Sequence, residues 1–240
     1  MGYPEQALTQ SQEVLTLAES LNHPLSGATA VQIGAWLHQQ RREFKETQVL
    51  AEQLLELTPQ TEFPIYHIMG LALRGWALAH QERTAEGIAE IKAGMAILAE
   101  MGTQLGSTFG AMLLAEAYQQ AGLVDEGLAV VSEALTDVEK REEASYAAEL
   151  YRLQGELLLA TSAAQPDAEA AFTKALNIAR QQQAKLFELR AVMGLSRMWQ
   201  QQGKFIEAHS LLAVTYNQFT EGLSTPDLQS AADLLAELSS

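Results

Sequence analysis

The sequence predicts an all-α solenoid of tandem helical hairpins, and three observations carry that prediction. Turn-like segments recur at a fixed interval, and apolar residues between them recur at spacings of three and four. No window holds the sustained β-branched alternation of a strand. The segments are GYPEQAL at 2–8, REFKETQ at 42–48, ERTAEGI at 82–88, GLVDEGL at 122–128 and GKFIEAH at 203–209, with a degenerate copy, AAQPDAEA, at 163–170. The small residue near the end of each is Ala7, Thr47, Gly87, Gly127, Ala168 or Ala208, so the successive intervals are 40, 40, 40, 41 and 40. Self-similarity at such a period is the mark of a repeat architecture.

The helices follow from the same pattern. Leu153, Leu157 and Leu158 share one helix face, and Phe172, Ala175, Leu176 and Ala179 share another. Pro24, Pro59, Pro64, Gly102, Gly122, Pro166, Gly203 and Pro226 punctuate the joins, leaving about twelve helices linked by short turns. The expected division of residues 1–240 is a single domain of about five and a half hairpins. It runs as a half repeat at about 2–22, then units at 23–60, 61–101, 102–141, 142–183 and 184–222, and a capping helix at 225–238. EQALTQSQEVLTLAESL reads as a second helix without its first, so the expectation is a segment cut from a longer protein. DLQSAADLLAELSS, after Thr225-Pro226, reads as a polar-backed cap with proline in its first turn, the expected true C-terminus.

A forty-residue hairpin fits either a long tetratricopeptide unit or a HEAT/armadillo-like one, and the residue pattern decides between them. Leu114-Ala115 precedes Tyr118, and Leu195-Ser196 precedes Trp199, at the tetratricopeptide spacing. Tyr151 stands before Gln154-Gly155, Arg74-Gly75 before Leu78, and Ala168, Phe172 and Ala175 supply the second-helix signature. Small residues at Gly75, Ala115, Gly155 and Ser196 allow close approach within a hairpin, and neighbouring aromatics fill the gap to the next. The predicted fold is therefore a tetratricopeptide-like right-handed superhelix.

Three longer stretches narrow the resemblance. AELYRLQGELLL at 148–159, RQQQAKLFELRAVMGLSRMWQQQGK at 180–204 and FTEGLSTPDL at 219–228 resemble the C-terminal tetratricopeptide regions of bacterial signalling proteins. Those proteins join a class III adenylate/guanylate cyclase domain to a predictor-type AAA/STAND ATPase. The resemblance covers essentially the whole chain and implies a sensor or scaffold segment, with catalysis and nucleotide binding lying upstream.

Composition bounds the chemistry. With 30 Asp+Glu against 15 Lys+Arg, the net charge of −15 disfavours nucleic acid and anionic lipid and leaves a basic partner as the electrostatic match. There are no cysteines, no signal-peptide pattern and no membrane-length apolar run, so a cytoplasmic protein is expected. His23, His38, His67, His80 and His209 form no HExxH or other metal-ligand spacing. No phosphate loop, cyclase carboxylate pair or G-x-S-x-G elbow is present, and Glu142-Glu143 reads as dipole-stabilised near a helix start. The glutamine triplets at 181–183 and 200–202 read as polar helix ends. The expectation is a non-enzyme with no cofactor and no metal.

In tetratricopeptide superhelices the first helix of each hairpin lines the concave face. Here that places Gln32, Trp36 and Gln39; Met69, Trp76 and His80; Phe109, Met112, Glu116 and Gln119; Glu149, Arg152 and Glu156; and Arg190, Met193, Arg197 and Gln200. The aromatics of the first half and the arginines of the second suit a peptide with an apolar portion and an acidic group. The competing reading has Trp36 and Trp76 packed between hairpins and Arg152 in helix-surface ion pairs with Glu149 and Glu156. The absence of lysine and asparagine at these places argues against acidic chaperone tails. Three roles stay open: a protein-interaction and regulatory module, an effector sensor enclosing a small molecule or short peptide, and a spacer or self-association surface.

Overall fold

The structure is a computed structural model that describes residues 2–59, 62–141, 145–161 and 165–239. Glu142-Glu143 and the first two residues of the degenerate copy, Ala163-Ala164, lie outside the described residues. Among the described residues there are twelve helices and no strand. They are α1 (Pro4–Leu21), α2 (Pro24–Gln40), α3 (Phe44–Leu57), α4 (Pro64–Ala79), α5 (Thr84–Glu100) and α6 (Ser107–Gln120), then α7 (Val124–Arg141), α8 (Ala147–Ala160), α9 (Gln165–Gln181), α10 (Lys185–Gln201), α11 (Phe205–Tyr216) and α12 (Pro226–Leu238). The architecture is an all-α helical repeat.

The helices gather into two compact units. One spans Glu5–Leu123, and the other spans Val124–Ser240 together with the first four residues. In the N-terminal unit α2 pairs with α3 and α4 with α5, while α2, α4 and α6 pack side by side. In the C-terminal unit α8 pairs with α9 and α10 with α11, while α8, α10 and α12 form the side-by-side row.

Local sequence sets the helix ends. Pro24, Pro64 and Pro226 stand in the first turn of their helices, where the missing N–H goes unmissed. The turns joining α2 to α3, α4 to α5, α6 to α7 and α10 to α11 each end on a left-handed residue at the same register: Arg42 (φ 61°), Glu82 (φ 63°), Gly122 (φ 70°) and Gly203 (φ 78°). Glycine reaches that conformation freely, whereas Arg42 and Glu82 hold it at a cost of about 1 kcal/mol.

The small residues act where the helices cross. Gly75 of α4 faces Gly87 of α5, and a Cβ on Gly75 would stand 2.6 Å from the Gly87 carbonyl oxygen. In the C-terminal unit the fully buried Phe172 ring occupies the space left by Gly155 of α8 and Gly194 of α10. The Ser196 hydroxyl donates to the Ala208 carbonyl across the α10–α11 crossing (3.3 Å). Thr47, Ala168 and Ala208, three of the residues that define the period, are wholly buried.

This geometry separates two glycines of equal helix propensity. Gly87→Ala drives a methyl into the Gly75 backbone, so despite the better propensity it should lower unfolding free energy by about 2 kcal/mol. Gly27→Ala, with nothing within 4 Å of its added Cβ, should raise it by about 0.5–1 kcal/mol. Urea denaturation followed by circular dichroism compares the two directly.

Candidate interaction surface

Trp36, Trp76 and Glu116 hold the same place in α2, α4 and α6, one repeat apart. Trp76 is fully buried, and its Nε1 donates to Glu116 Oε2 at 2.6 Å. Arg42 closes a fork on the same carboxylate, Nη1 to Oε2 at 2.6 Å and Nη2 to Oε1 at 2.8 Å. The Arg42 guanidinium also lies 5.7 Å from the Trp76 ring centre. Phe44 packs on Trp76 and stacks on His80, with centroids 5.2 and 4.8 Å apart. Glu116 is 3% exposed, so this fork and the indole N–H are what make its charge tolerable.

Two titrations follow from the packing. Burial disfavours the His80 imidazolium more strongly than the Glu116 charge and the Trp76 carbonyl favour it, and its pKa falls below the ordinary 6.5. For Glu43, burial pushes upward, yet the hydrogen bonds and charges of Arg41 and His38 outweigh it and hold the carboxyl below 4.5.

Trp36 stands differently. The indole is half-buried, and the place one repeat on belongs to Trp76, which brings no acceptor. Its Nε1 and the Gln39 Nε2, three residues along the same helix, are buried donors without an acceptor among the described residues. Gln39 Oε1 already accepts from Gln40 Nε2 at 2.7 Å.

The remaining expected lining residues of this unit divide by burial. Gln32, Met69 and Gln119 are half-buried, whereas Phe109 and Met112 are in the core. Met69 and Phe109 meet along a narrow apolar seam with Ile68 and Met95.

In the C-terminal unit the charged residues bind one another. Arg152 forks onto Glu149 (Nε to Oε1 and Nη2 to Oε2, both 3.1 Å) and reaches Glu156 through Nη1 at 2.8 Å. Arg190 donates through Nη1 to Glu149 at 3.1 Å and through Nε to Asp227 of α12 at 2.8 Å. Glu149, Arg152 and Arg190 are all buried, Glu156 and Asp227 less so. Two of the three guanidinium groups expected to meet a ligand's acid, those of Arg152 and Arg190, are therefore engaged by carboxylates of their own unit. Met193 is buried, Arg197 is exposed, and Gln200 reaches Glu237 at 3.3 Å.

The sequence pattern gave no role to Phe44, Arg42 or Asp227. Arg42 did carry a visible signal: it fills the turn position that is glycine at 122 and 203. Among the described residues no three His, Cys, Asp or Glu side chains group as a metal site would need, and no helix is long and apolar enough to cross a membrane.

No protein-family model and no curated protein matches the sequence. Solved structures do. The chain is similar to BtubC (BKLC) from P. vanneervenii, with a TM-score of 0.63 and 16% identity over 90% of each chain. It is also similar to a Signal Transduction ATPase with Numerous Domains (STAND) protein with a tetratricopeptide repeat sensor from Pyrococcus horikoshii, with a TM-score of 0.64 and 15% identity. That match covers 89% of this chain and 32% of the other, so the chain spans about a third of that protein. The fold is tetratricopeptide-like. At these identities the shared property is the fold alone.

Removing the Glu116 charge while keeping its shape tests the fork. Glu116→Gln should lower unfolding free energy by about 3 kcal/mol, and adding Arg42→Met should recover most of the loss. Urea unfolding read by tryptophan fluorescence measures both.

His80 gives a pH signature. Its folded pKa lies below its unfolded one, so protons favour the unfolded chain. The stabilisation is complete above 6.5 and is lost as pH falls from there toward the folded value. The Glu43 contribution is instead complete above 4.5 and declines below it. Between pH 6.5 and 4.5, His80→Gln should therefore flatten the decline of stability with acid.

Proposed function

We propose that this chain is a non-catalytic interaction module of a larger, cytoplasmic bacterial signalling protein. In this reading the face built by α2, α4 and α6 takes an extended segment of a protein partner. The observation that carries it is the pair of buried donors, Trp36 Nε1 and Gln39 Nε2, one helical turn apart and without an acceptor among the described residues. An unmet buried donor costs about 1–3 kcal/mol, so a partner carbonyl or carboxylate reaching both recovers that energy on binding. The half-buried Trp36 ring adds the kind of aromatic anchor that dominates interfaces. The partner class is another protein, or ATPase or cyclase domains belonging to the same signalling protein.

A second reading, an effector sensor that regulates an upstream ATPase, is favoured by the likeness to the STAND protein with a tetratricopeptide repeat sensor. The two differ in what the face receives, a protein segment or a free effector.

The test uses residues whose loss leaves the core standing. Trp76 and Arg152 are unsuitable because both are buried in networks. Trp36→Phe with Gln39→Leu removes the two donors and keeps the bulk. In affinity capture from the source cell, this double variant should recover at least about tenfold less of the partner than the parent chain, at unchanged helicity. Equal recovery would remove this face from the binding site.

A further inference from the structure

A cleft of about 310 Å³ opens between α1, α2 and α3, wholly within the N-terminal unit. That is the lower end of the range for ligand sites, about 300–1,000 Å³. Leu15, Val31 and Leu57 make apolar walls, Glu19 and Gln53 supply polar groups, and Gly27 lines it from α2. The repeat explains why the cleft is there. One repeat on from Gly27 stands His67, whose imidazole Nδ1 donates to the Thr58 carbonyl at 2.9 Å. One repeat on from Ala30 stands Gly70, against which the Leu55 side chain packs closely. The second repeat thus fills with its own ring the place that the first leaves open, since nothing lies within 4 Å of a Cβ built on Gly27.

The charge around the cleft has one sign. Residues 1–40 contain Glu5, Glu13 and Glu19 and neither lysine nor arginine. Glu52 and Glu56 stand in the last two turns of α3, at the end that lines the cleft. Both α1 and α3 terminate here, and the negative ends of their dipoles favour a cation. The positive end of α2 is met by His23, whose Nδ1 accepts from the Ser26 hydroxyl at 3.2 Å. Arg41, Arg42 and Lys45 lie at the far end of α2, roughly 25 Å along its axis, well beyond the screening length of about 8 Å.

We propose that this cleft binds a small aromatic cation: a planar ring in the slot that His67 fills one repeat later, with an ammonium group on a short arm toward Glu19. The site is separate from the α2–α4–α6 face, and neither Trp36 nor Gln39 lines it.

Phenethylamine is the probe and phenylacetate its anionic counterpart of matching shape, titrated into the full chain by calorimetry. Amide chemical shifts locate the response. Phenethylamine should saturate one site with shifts confined to α1–α3, and phenylacetate should bind at least about tenfold more weakly. Gly27→His should abolish binding by placing a ring in the slot, at unchanged or raised melting temperature. Gly27→Ala, which stiffens the helix but leaves the slot open, should retain it, and Glu19→Gln should weaken it at least about threefold. Equal affinity for phenylacetate, full binding by Gly27→His, or no saturable binding by the parent chain would each overturn the assignment. A Trp36→Phe, Gln39→Leu chain that binds phenethylamine normally yet captures no partner would keep this site and the proposed function distinct.

Discussion

Each helical hairpin leaves an apolar flank that only the next hairpin can cover, and the rest of the structure depends on how closely the helices can then approach. The approach is set by what has no side chain. At the α4–α5 crossing the backbones of Gly75 and Gly87 meet directly. At the α8–α9–α10 junction the same space is filled by a single ring, Phe172, laid over Gly155 and Gly194. Gly75 and Gly155 hold one register of the repeat, and either a backbone or a ring fits against it. What the register excludes is a mid-sized side chain on the first helix, because the second helix already occupies that volume.

Such stacking makes sequence interval a measure of contact. Residues one repeat apart on successive first helices become lateral neighbours, as Trp76 and Glu116 are in one unit and Glu149 and Arg190 in the other. A buried charge in this row needs an opposite charge or a donor at the neighbouring place, since the row offers little water. Glu116 receives an indole N–H and a guanidinium, while Glu149 receives two guanidiniums. Asp227 ends the second row, where its ion pair to Arg190 joins the capping helix to its neighbour.

This logic also marks what could be read from the chain beforehand. The helices, the period and the small residues at crossings were legible because each rests on local spacing. The pairing of Arg152 with Glu149 and Glu156 was legible too, since helix geometry alone brings residues three and four apart together. The Arg42–Glu116 fork was not. It joins residues 74 apart through a left-handed turn position, and the pattern expects glycine there. Likewise, Phe44 belongs to a second helix and was given no part, yet its ring packs against both Trp76 and His80. Side chains that cross from one helix layer to the other are invisible to a reading that sorts residues by helix face.

In a repeat protein the informative positions are those where the register is kept but the residue breaks the arrangement. Trp36 repeats Trp76 in position, but its own neighbour offers an indole where Trp76 has a carboxylate, and the donor is left over. Gly27 repeats His67 in position, but the side chain that seals the second repeat is missing from the first. Neither departure helps packing: one leaves a buried donor unmet and the other leaves a cleft between three helices. Both fall in α2, within ten residues of one another, while the C-terminal row of charges is closed by internal pairs. A chain selected for stability alone would carry an acceptor beside the Trp36 indole and a histidine at the place of Gly27. Both proposed sites therefore lie in the first full hairpin, where the residues depart from the arrangement that packs the second.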